Sequence, residues 1–241
     1  MNLYEERALA ELKEWQRKVS QKPSIIDKMT KGIQRKTNSF IPDKVHSVMT
    51  EAIKNMSKAV LWGSGFITGS PVIKGSLEER EKRVTDKLNF YKKTAALEGA
   101  GTGAGGFLLG LADFPLLLSI KMKFLFDIAS IYGYDVRDYR ERLYILYIFQ
   151  LAFSGRQRQV EIYKQMLNWD NYVHSLPMDV DDFDWRTFQQ EYRDYIDLAK
   201  MLQLVPGIGA VVGAYANYKL LDKLGETAVN SYRMRRFKLQ V

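Results

Sequence analysis

One twelve-residue stretch restricts the fold of this chain more than any other part of its sequence. Residues 99–110 read GAGTGAGGFLLG, and six of these twelve residues are glycine. Glycine in the interior of a helix costs about 1 kcal/mol relative to alanine, so this many glycines need a compensating reason. Small residues recur four apart, which lets two helix backbones approach each other closely. We therefore expect four glycines to serve helix packing: Gly101, Gly105, Gly106 and Gly110.

A second small-residue stretch, near the end of the chain, offers the packing partner. Gly209 and Gly213 are four apart, and Pro206 precedes them where a turn is expected. The hypothesis is that this stretch and residues 99–110 form two helices in close contact. A large side chain in place of Gly105 or Gly213 would then weaken the fold.

Apolar residues elsewhere recur at helical spacing, and no stretch shows the alternation typical of a strand. Residues 4–19 and 42–60 each predict an amphipathic helix, and Ser76 with Glu79 predicts a capping box that begins another. Residues 143–153, LYILYIFQLAF, are apolar on nearly every face and should lie at the centre. The expected fold is all-α: a single-domain multi-helix bundle with a central pair of glycine-rich helices.

A loop rich in glycine, serine and proline between residues 63 and 75 marks the clearest internal boundary. Residues 1–70 then hold N-terminal basic amphipathic helices, and residues 71–241 hold the helical core. The N-terminal helices are too few to bury a core of their own, so we expect them to be part of the same fold.

The net charge of +8 is unevenly spread: residues 1–95 carry +8, residues 96–200 carry −4 and residues 201–241 carry +4. Such an asymmetry suits an anionic partner, although a solvated basic face would look the same. The last helix interleaves cations with aromatic residues, which suits a membrane surface with anionic lipid better than nucleic acid. Cations that only complement the dipole at the end of a helix would give the same pattern. The predicted membrane or anion-binding residues are Arg233, Arg235, Arg236 and Lys238.

The composition also predicts the cellular location of the protein. There is no cysteine, the N-terminus lacks the apolar core of a secretory signal, and the mean hydropathy is −0.28. Residues 99–120 are long enough to span a bilayer, but Asp113 interrupts them and lysines flank both sides. We expect a buried or shallowly inserted hairpin, in a cytoplasmic protein peripherally associated with the inner face of the cell membrane.

Asp113 is the sole candidate for catalysis, because it is an ionisable residue inside the most apolar run. A structural role is favoured: Asp113 caps the next helix, with Pro115 in the first turn. Lys121 and Lys123 are candidate charge partners. Together, Asp113, Pro115 and Pro206 are predicted turn residues of structural or functional importance.

No cofactor and no metal are expected. The G-x-G-x-x-G that begins at Gly101 lacks the preceding strand that a dinucleotide site needs. His46 and His174 are isolated from other ligand residues, and the acidic cluster at 179–184 does not match a calcium loop.

The run from Gly99 to Asp135, GAGTGAGGFLLGLADFPLLLSIKMKFLFDIASIYGYD, resembles the signature of the EcsC family, and Val205 to Phe237 resembles its closing glycine-rich helix. The family takes its name from a bacterial operon that encodes an ABC transporter. The resemblance implies a membrane-associated accessory or binding protein, linked to an ABC transporter or to protein secretion, with no established catalytic activity.

Two alternatives stay open. One is an enzyme that acts on a lipid or membrane substrate with Asp113 in its site. The other is a nucleic-acid binder that uses the basic C-terminal helix. The sequence identifies no reaction.

Overall fold

The computed structural model describes residues 1–21, 43–63, 68–104, 114–176 and 209–238. These residues form eight α-helices and one short 3-10 turn, Val173–Ser175, and they contain no strand, which confirms the all-α class. In chain order the helices are α1 (Leu3–Ser20), α2 (Asp43–Trp62), α3 (Leu77–Ala104), α4 (Phe114–Tyr132), α5 (Tyr139–Phe153), α6 (Arg156–Leu167), α7 (Trp169–Tyr172) and α8 (Gly209–Phe237).

Local sequence signals set the starts of two helices. The Ser76 hydroxyl accepts a hydrogen bond from the Glu79 N–H at 3.2 Å, and the Glu79 carboxylate accepts one from the Ser76 N–H at 2.8 Å. This capping box satisfies two backbone donors that the first turn of α3 leaves unpaired. It confirms the prediction made from these two residues. Asn2 and Glu5 form the same arrangement at the start of α1.

Helices α4 and α5 form the centre of the protein. Every residue of α5 from Leu143 to Phe153 is buried, as the apolar run predicts. Helix α5 contacts α2, α4, α6 and α8, and α4 contacts α2, α3, α5 and α8. Because neighbours surround these two helices on most sides, a sequence that is apolar on nearly every face is stable there.

Helices α3 and α8 run antiparallel and pack along much of their length, which is about 44 Å for the 29 residues of α8. The register places Gly101 of α3 level with Gly213 of α8. In an antiparallel pair of helices, the numbers of two residues at the same level have a nearly constant sum. Three contacts give this sum: Glu81 with Arg233, Leu88 with Gly225, and Lys92 with Asp222.

Close approach of α3 and α8 depends on at least one glycine outside the predicted stretches. A Cβ atom at Gly225 would lie 2.8 Å from both terminal methyl carbons of Leu88, so a side chain there would force Leu88 to move. The predicted contact between the two glycine-rich stretches is consistent with the register and stays a prediction. Gly101, Gly209 and Gly213 lie in α3 and α8, whereas Gly105, Gly106 and Gly110 lie outside the described residues.

The N-terminal helix packs on the rest of the protein through one apolar face. Ala8, Leu12 and Trp15 of α1 are buried, and the Trp15 ring meets the Tyr163 ring edge-on at 6.1 Å between centroids. Helix α1 contacts α3, α6 and α8. Its apolar burial is therefore shared with the core helices, while the boundary predicted at residue 70 stays a prediction.

The segment that precedes α3 is held against the C-terminal half of α4. The Ser130 hydroxyl donates to the Gly69 carbonyl at 2.7 Å, and the Val72 N–H donates to the Ser130 carbonyl at 2.8 Å. Arg80 adds a bond from its guanidinium to the Ile131 carbonyl at 2.9 Å. These bonds bring the segment alongside the charged residues of α4 described below.

Candidate functional site

One end of the α3–α8 pair exposes large apolar side chains. This glycine-rich end comprises residues 90–104 of α3, 114–120 of α4 and 209–219 of α8. Within the described residues, five of the nine exposed large apolar side chains lie there. A cluster of such residues at one end is a recognised mark of an interaction surface, whereas single exposed apolar residues are ordinary. The five are Phe90, Leu97, Leu116, Tyr215 and Tyr218, with exposed fractions of 61%, 74%, 46%, 63% and 39%.

Lysine side chains lie beside the tyrosines of this end. The Lys92 ammonium is 4.1 Å from the centre of the Tyr218 ring, and the Lys219 ammonium is 5.8 Å from the centre of the Tyr215 ring. Lys92 also lies 2.6 Å from the Asp222 carboxylate. Burial opposes the charge on Lys92, but the bond to Asp222 outweighs burial and raises the pKa of this lysine. Lys92 is buried and its charge is met by Asp222, so the exposed Lys219 is the lysine that presents positive charge next to an aromatic ring.

Arg233, one of the four cations predicted to bind anions, lies inside the protein and is only 7% exposed. Its guanidinium donates two hydrogen bonds to the Glu81 carboxylate, at 2.8 and 2.6 Å, and one to Glu11 at 2.9 Å. Glu81 also accepts bonds from the hydroxyls of Tyr4 and Tyr132. This network ties α1, α3 and α8 together, and its bidentate geometry is the strong form of an arginine–carboxylate contact.

Arg235 has a similar internal partner. Its guanidinium donates to the Glu141 carboxylate at 2.6 Å and lies 3.7 Å from the centre of the Tyr134 ring and 4.5 Å from that of Tyr144. Burial raises the pKa of Glu141, and the neighbouring Arg235 opposes that rise. The Tyr232 hydroxyl completes the cluster with a 2.7 Å bond to Glu141. Arg235 thus neutralises a carboxylate that α5 buries.

Arg236 and Lys238 are the exposed members of the predicted anion-binding set. The Arg236 side chain is 60% exposed and makes one long contact of 3.5 Å with Glu5. Lys238 follows the end of α8 with a φ of 48° and is exposed. A cavity of about 270 Å³ beside Lys238 is lined by Arg235 and Asp170 as well as by Lys238. Its mixed charge does not favour an anion.

A buried carboxylate in α4 is a feature that sequence reasoning missed. Asp127 is 6% exposed, and it accepts hydrogen bonds from the hydroxyls of Thr68 and Tyr91, both at 2.9 Å. It also pairs with the ammonium groups of Lys123 and Lys87. Burial opposes its charge, but the bonds from Lys123 and the other donors outweigh burial and lower the pKa of Asp127. Asp127 anchors α3 and the preceding segment onto α4.

The spacing of Lys123 and Asp127, one helical turn apart within an apolar helix, could have signalled this pair. From the sequence, Lys123 is instead a candidate partner of Asp113. Asp113 lies outside the described residues, as does Pro206. Pro115 occupies the first turn of α4, as predicted. The catalytic and capping roles of Asp113 stay predictions.

The described part of the chain lacks two further features. None of its helices combines the length and apolar composition needed to cross a bilayer. Nor does it bring three histidine, cysteine or acidic side chains together in a group that could hold a metal ion.

Comparison of the sequence with known proteins identifies the family to which the chain belongs. The model of the EcsC protein family matches residues 6–237. The chain belongs to the EcsC family. It is 46% identical to "Protein EcsC" of Bacillus subtilis (strain 168) over 231 residues, which cover 95% of each chain. It is 34% identical to "Uncharacterized protein YdbA" of the same organism over 142 residues, which cover 59% of this chain and 52% of that protein.

The EcsC match spans almost every feature described above. It includes both glycine-rich stretches, Asp127, and the Glu81–Arg233 pair, and it begins within α1. Since the family region runs from α1 to α8, it covers the N-terminal helices as well as the core. No solved structure matches the chain.

Proposed function

We propose that this EcsC-family protein is a membrane-associated binding or accessory protein that docks on the inner face of the cell membrane through its glycine-rich end. The observation that carries the proposal is the concentration of exposed large apolar side chains at that end, with the exposed Lys219 beside Tyr215. Apolar and aromatic side chains enter the boundary between headgroups and acyl chains, while lysines favour anionic headgroups.

The expected energies are adequate for reversible attachment. Moving a fully exposed Leu or Phe side chain into an apolar environment contributes about 1.5–3 kcal/mol. A lysine near an anionic surface adds about 1 kcal/mol. A single apolar anchor gives marginal binding, so Leu97, Phe90 and the tyrosines must act together.

Vesicle flotation tests the proposal. We expect the protein to float with vesicles that contain phosphatidylglycerol and less with pure phosphatidylcholine. The double substitution Leu97→Glu with Tyr215→Glu should weaken binding about tenfold or more, because it removes two apolar contacts and adds repulsion. Ile73→Glu is the matched control, since Ile73 is 85% exposed and precedes the opposite end of α3. Equal binding by both variants would refute docking through the glycine-rich end.

The family resemblance adds an ABC transporter as a protein partner in the same membrane. The exposed apolar end could contact a membrane protein instead of lipid, so the two must be separated. Cell fractionation with and without the transporter genes does this. Retention in the membrane fraction of transporter-deleted cells, with release by carbonate, supports direct docking on the bilayer. Loss from the membrane in those cells assigns the glycine-rich end to the transporter and rejects lipid docking.

A further inference from the structure

The largest described cavity is an open cleft beneath the N-terminal helix. It measures about 490 Å³ and lies between α1 on one side and α3 and α8 on the other. This size falls in the range of roughly 300–1,000 Å³ that small-molecule sites occupy. The cleft lies away from the glycine-rich end and shares none of its exposed apolar residues.

The cleft is acidic, although the whole chain carries a net charge of +8. Its lining contains four carboxylates and two cations, so its own balance is negative. One cation, Arg233, is already neutralised by Glu81 beneath it as well as by Glu11. The four acidic residues are Glu11, Glu14, Asp222 and Glu226, and the two cations are Lys18 and Arg233.

One of these carboxylates, Glu226, makes no direct ion pair within the described residues. Glu14 pairs with Lys18 at 2.8 Å, and Asp222 pairs with Lys92 at 2.6 Å. The exposed Glu226 carboxylate makes no direct ion pair or hydrogen bond in that part of the chain, although Lys223 and Lys18 lie near enough to interact with it electrostatically. It is therefore the carboxylate of the cleft that remains open to a direct contact with a bound cation.

The Asn230 side chain, one helical turn from Glu226, contains a buried hydrogen-bond acceptor. Asn230 lines the cleft and is 6% exposed, and its amide nitrogen donates to the Glu226 backbone carbonyl at 2.9 Å. Because a carbonyl can only accept, the nitrogen must face it, which leaves the Asn230 Oδ1 as the free atom. Within the described part of the chain, this oxygen is buried and has no hydrogen-bond partner. Buried acceptors normally have one, so this oxygen can accept a hydrogen bond from a ligand.

The rest of the lining is largely apolar. The Trp15 ring and the side chains of Leu88 and Val229 contribute to it, and Gly225 leaves its part of the wall without a side chain. A ligand that fits must therefore combine N–H donors and positive charge with a hydrocarbon portion. An anion or a purely apolar molecule would meet repulsion from the carboxylates or leave the Asn230 oxygen unpaired.

We propose that this cleft is a binding site for an organic cation bearing alkylammonium groups, of the polyamine class. One ammonium group lies against the Glu226 carboxylate and donates to the Asn230 Oδ1. The hydrocarbon chain lies over Trp15 and Leu88. The same ammonium chemistry is present in a free polyamine and in the headgroup of phosphatidylethanolamine, and the experiment distinguishes the two sources.

Calorimetry and thermal unfolding of the full chain with spermidine test the site. We expect binding that weakens as salt rises, together with an increase in Tm as spermidine is added. Glu226→Gln should weaken binding about tenfold, because a charge-assisted contact is lost. Asp86→Asn is the matched control, since Asp86 is exposed on α3 and does not line the cleft. It should bind spermidine as the unchanged protein does.

Asn230→Leu gives a second, opposite signature. It removes a buried unpaired acceptor, so the unliganded variant should melt at a higher temperature than the unchanged protein. The same variant should lose the increase in Tm that spermidine causes. A variant that gains stability and loses the response cannot be explained by misfolding.

Vesicles of phosphatidylethanolamine in phosphatidylcholine are the second probe in this experiment. Binding of free spermidine that depends on Glu226 assigns the site to a soluble polyamine. Binding that depends on Glu226 but occurs only on phosphatidylethanolamine vesicles assigns it to the lipid ammonium. If neither probe binds, or if Glu226→Gln and Asp86→Asn weaken binding equally, the proposal is overturned.

Discussion

The Arg233 guanidinium lies 2.6 Å from the Glu81 carboxylate, although 152 residues separate the two in sequence. Both side chains are less than 10% exposed, so the Glu81 carboxylate would be a buried charge without its cation if Arg233 were removed. The contact joins the last long helix to the start of α3. It therefore links the positions of helices that no local signal could bring together.

Arg233→Met should lower the free energy of unfolding by about 3–5 kcal/mol, because it leaves the Glu81 carboxylate buried without its cation. Urea unfolding followed by circular dichroism measures this loss. Replacing both partners, with Glu81→Leu added, should recover part of the stability.

The control for that change is Arg137→Met. Arg137 pairs with Asp135 at 2.6 Å, but its side chain is 85% exposed, and such surface pairs contribute little. Equal effects of the two methionine substitutions would contradict a structural role for the buried pair.

Gly101→Cys with Gly213→Cys should form a disulfide on mild oxidation, since the α3–α8 register places these residues level with each other. The chain contains no other cysteine, so any bond found is the engineered one. Mass spectrometry of the unreduced tryptic peptides detects it.

Gly101→Cys with Lys219→Cys is the comparison pair, because Lys219 is exposed and lies further along α8. It should cross-link far less. As a second readout, Gly213→Leu should lower the Tm. Failure of the first pair to cross-link, together with an unchanged Tm for Gly213→Leu, would reject contact between the glycine-rich stretches.

Asp127→Asn should destabilise the protein at neutral pH by about 1–3 kcal/mol, because four donors lose a charged acceptor. The pKa of Asp127 is lowered in the folded protein. Its contribution is therefore complete above the unfolded value of about 4 and is lost as the pH falls through the folded value. Urea unfolding at pH 7, 5 and 3 should show the difference from the unchanged protein shrinking.

Asp86→Asn is the control for this pH series, since it removes an exposed carboxylate from the neighbouring helix α3. It should change stability little at any of the three pH values. A difference for Asp127→Asn that grows on acidification would show that the sign assigned to its pKa is incorrect.

Lys223→Met should stabilise the protein at pH 7. Burial lowers the pKa of Lys223 from 10.5 to about 8, with the nearby Arg156 adding to the effect and Glu226 opposing it. The folded protein thus disfavours the charged form, and this cost is complete below pH 8 and disappears as the pH rises towards 10.5. The gain from the substitution should therefore be largest at pH 7 and should shrink as the pH rises from 8 towards 10.5.

Lys219→Met is the control for the pH series, because Lys219 is an exposed lysine on the same helix. Its stability relative to the unchanged protein should not vary in the same way. A gain for Lys223→Met that increases between pH 8 and pH 10 would contradict the assignment.

Elements with a local signal were predictable from the sequence. The Ser76 box begins α3, and the apolar run from Leu143 to Phe153 is buried throughout, because capping and burial on every face depend on residues near in sequence. The helical class follows from the same periodicity. Packing partners are a different matter, since periodicity states which face is buried but not which helix covers it.

The charged residues show this limit most clearly. Arg233 and Arg235 look like part of a basic surface in the sequence, yet each meets a carboxylate from a distant helix, Glu81 or Glu141. No local sequence pattern indicates which residues of two distant helices will form such an ion pair. The exposed apolar residues of the glycine-rich end are equally hidden, because Leu97 and Tyr215 share one end only after α3 and α8 pair.

The distance in sequence between Glu81 and Arg233 also sets an order of events during synthesis. After Glu81 of α3 has been added, the ribosome must add another 152 residues before the cation arrives. At roughly 5–20 residues per second, that interval is about 8–30 s. For this time the face of α3 that α8 later covers has no partner, so the nascent chain must be shielded until its last long helix emerges.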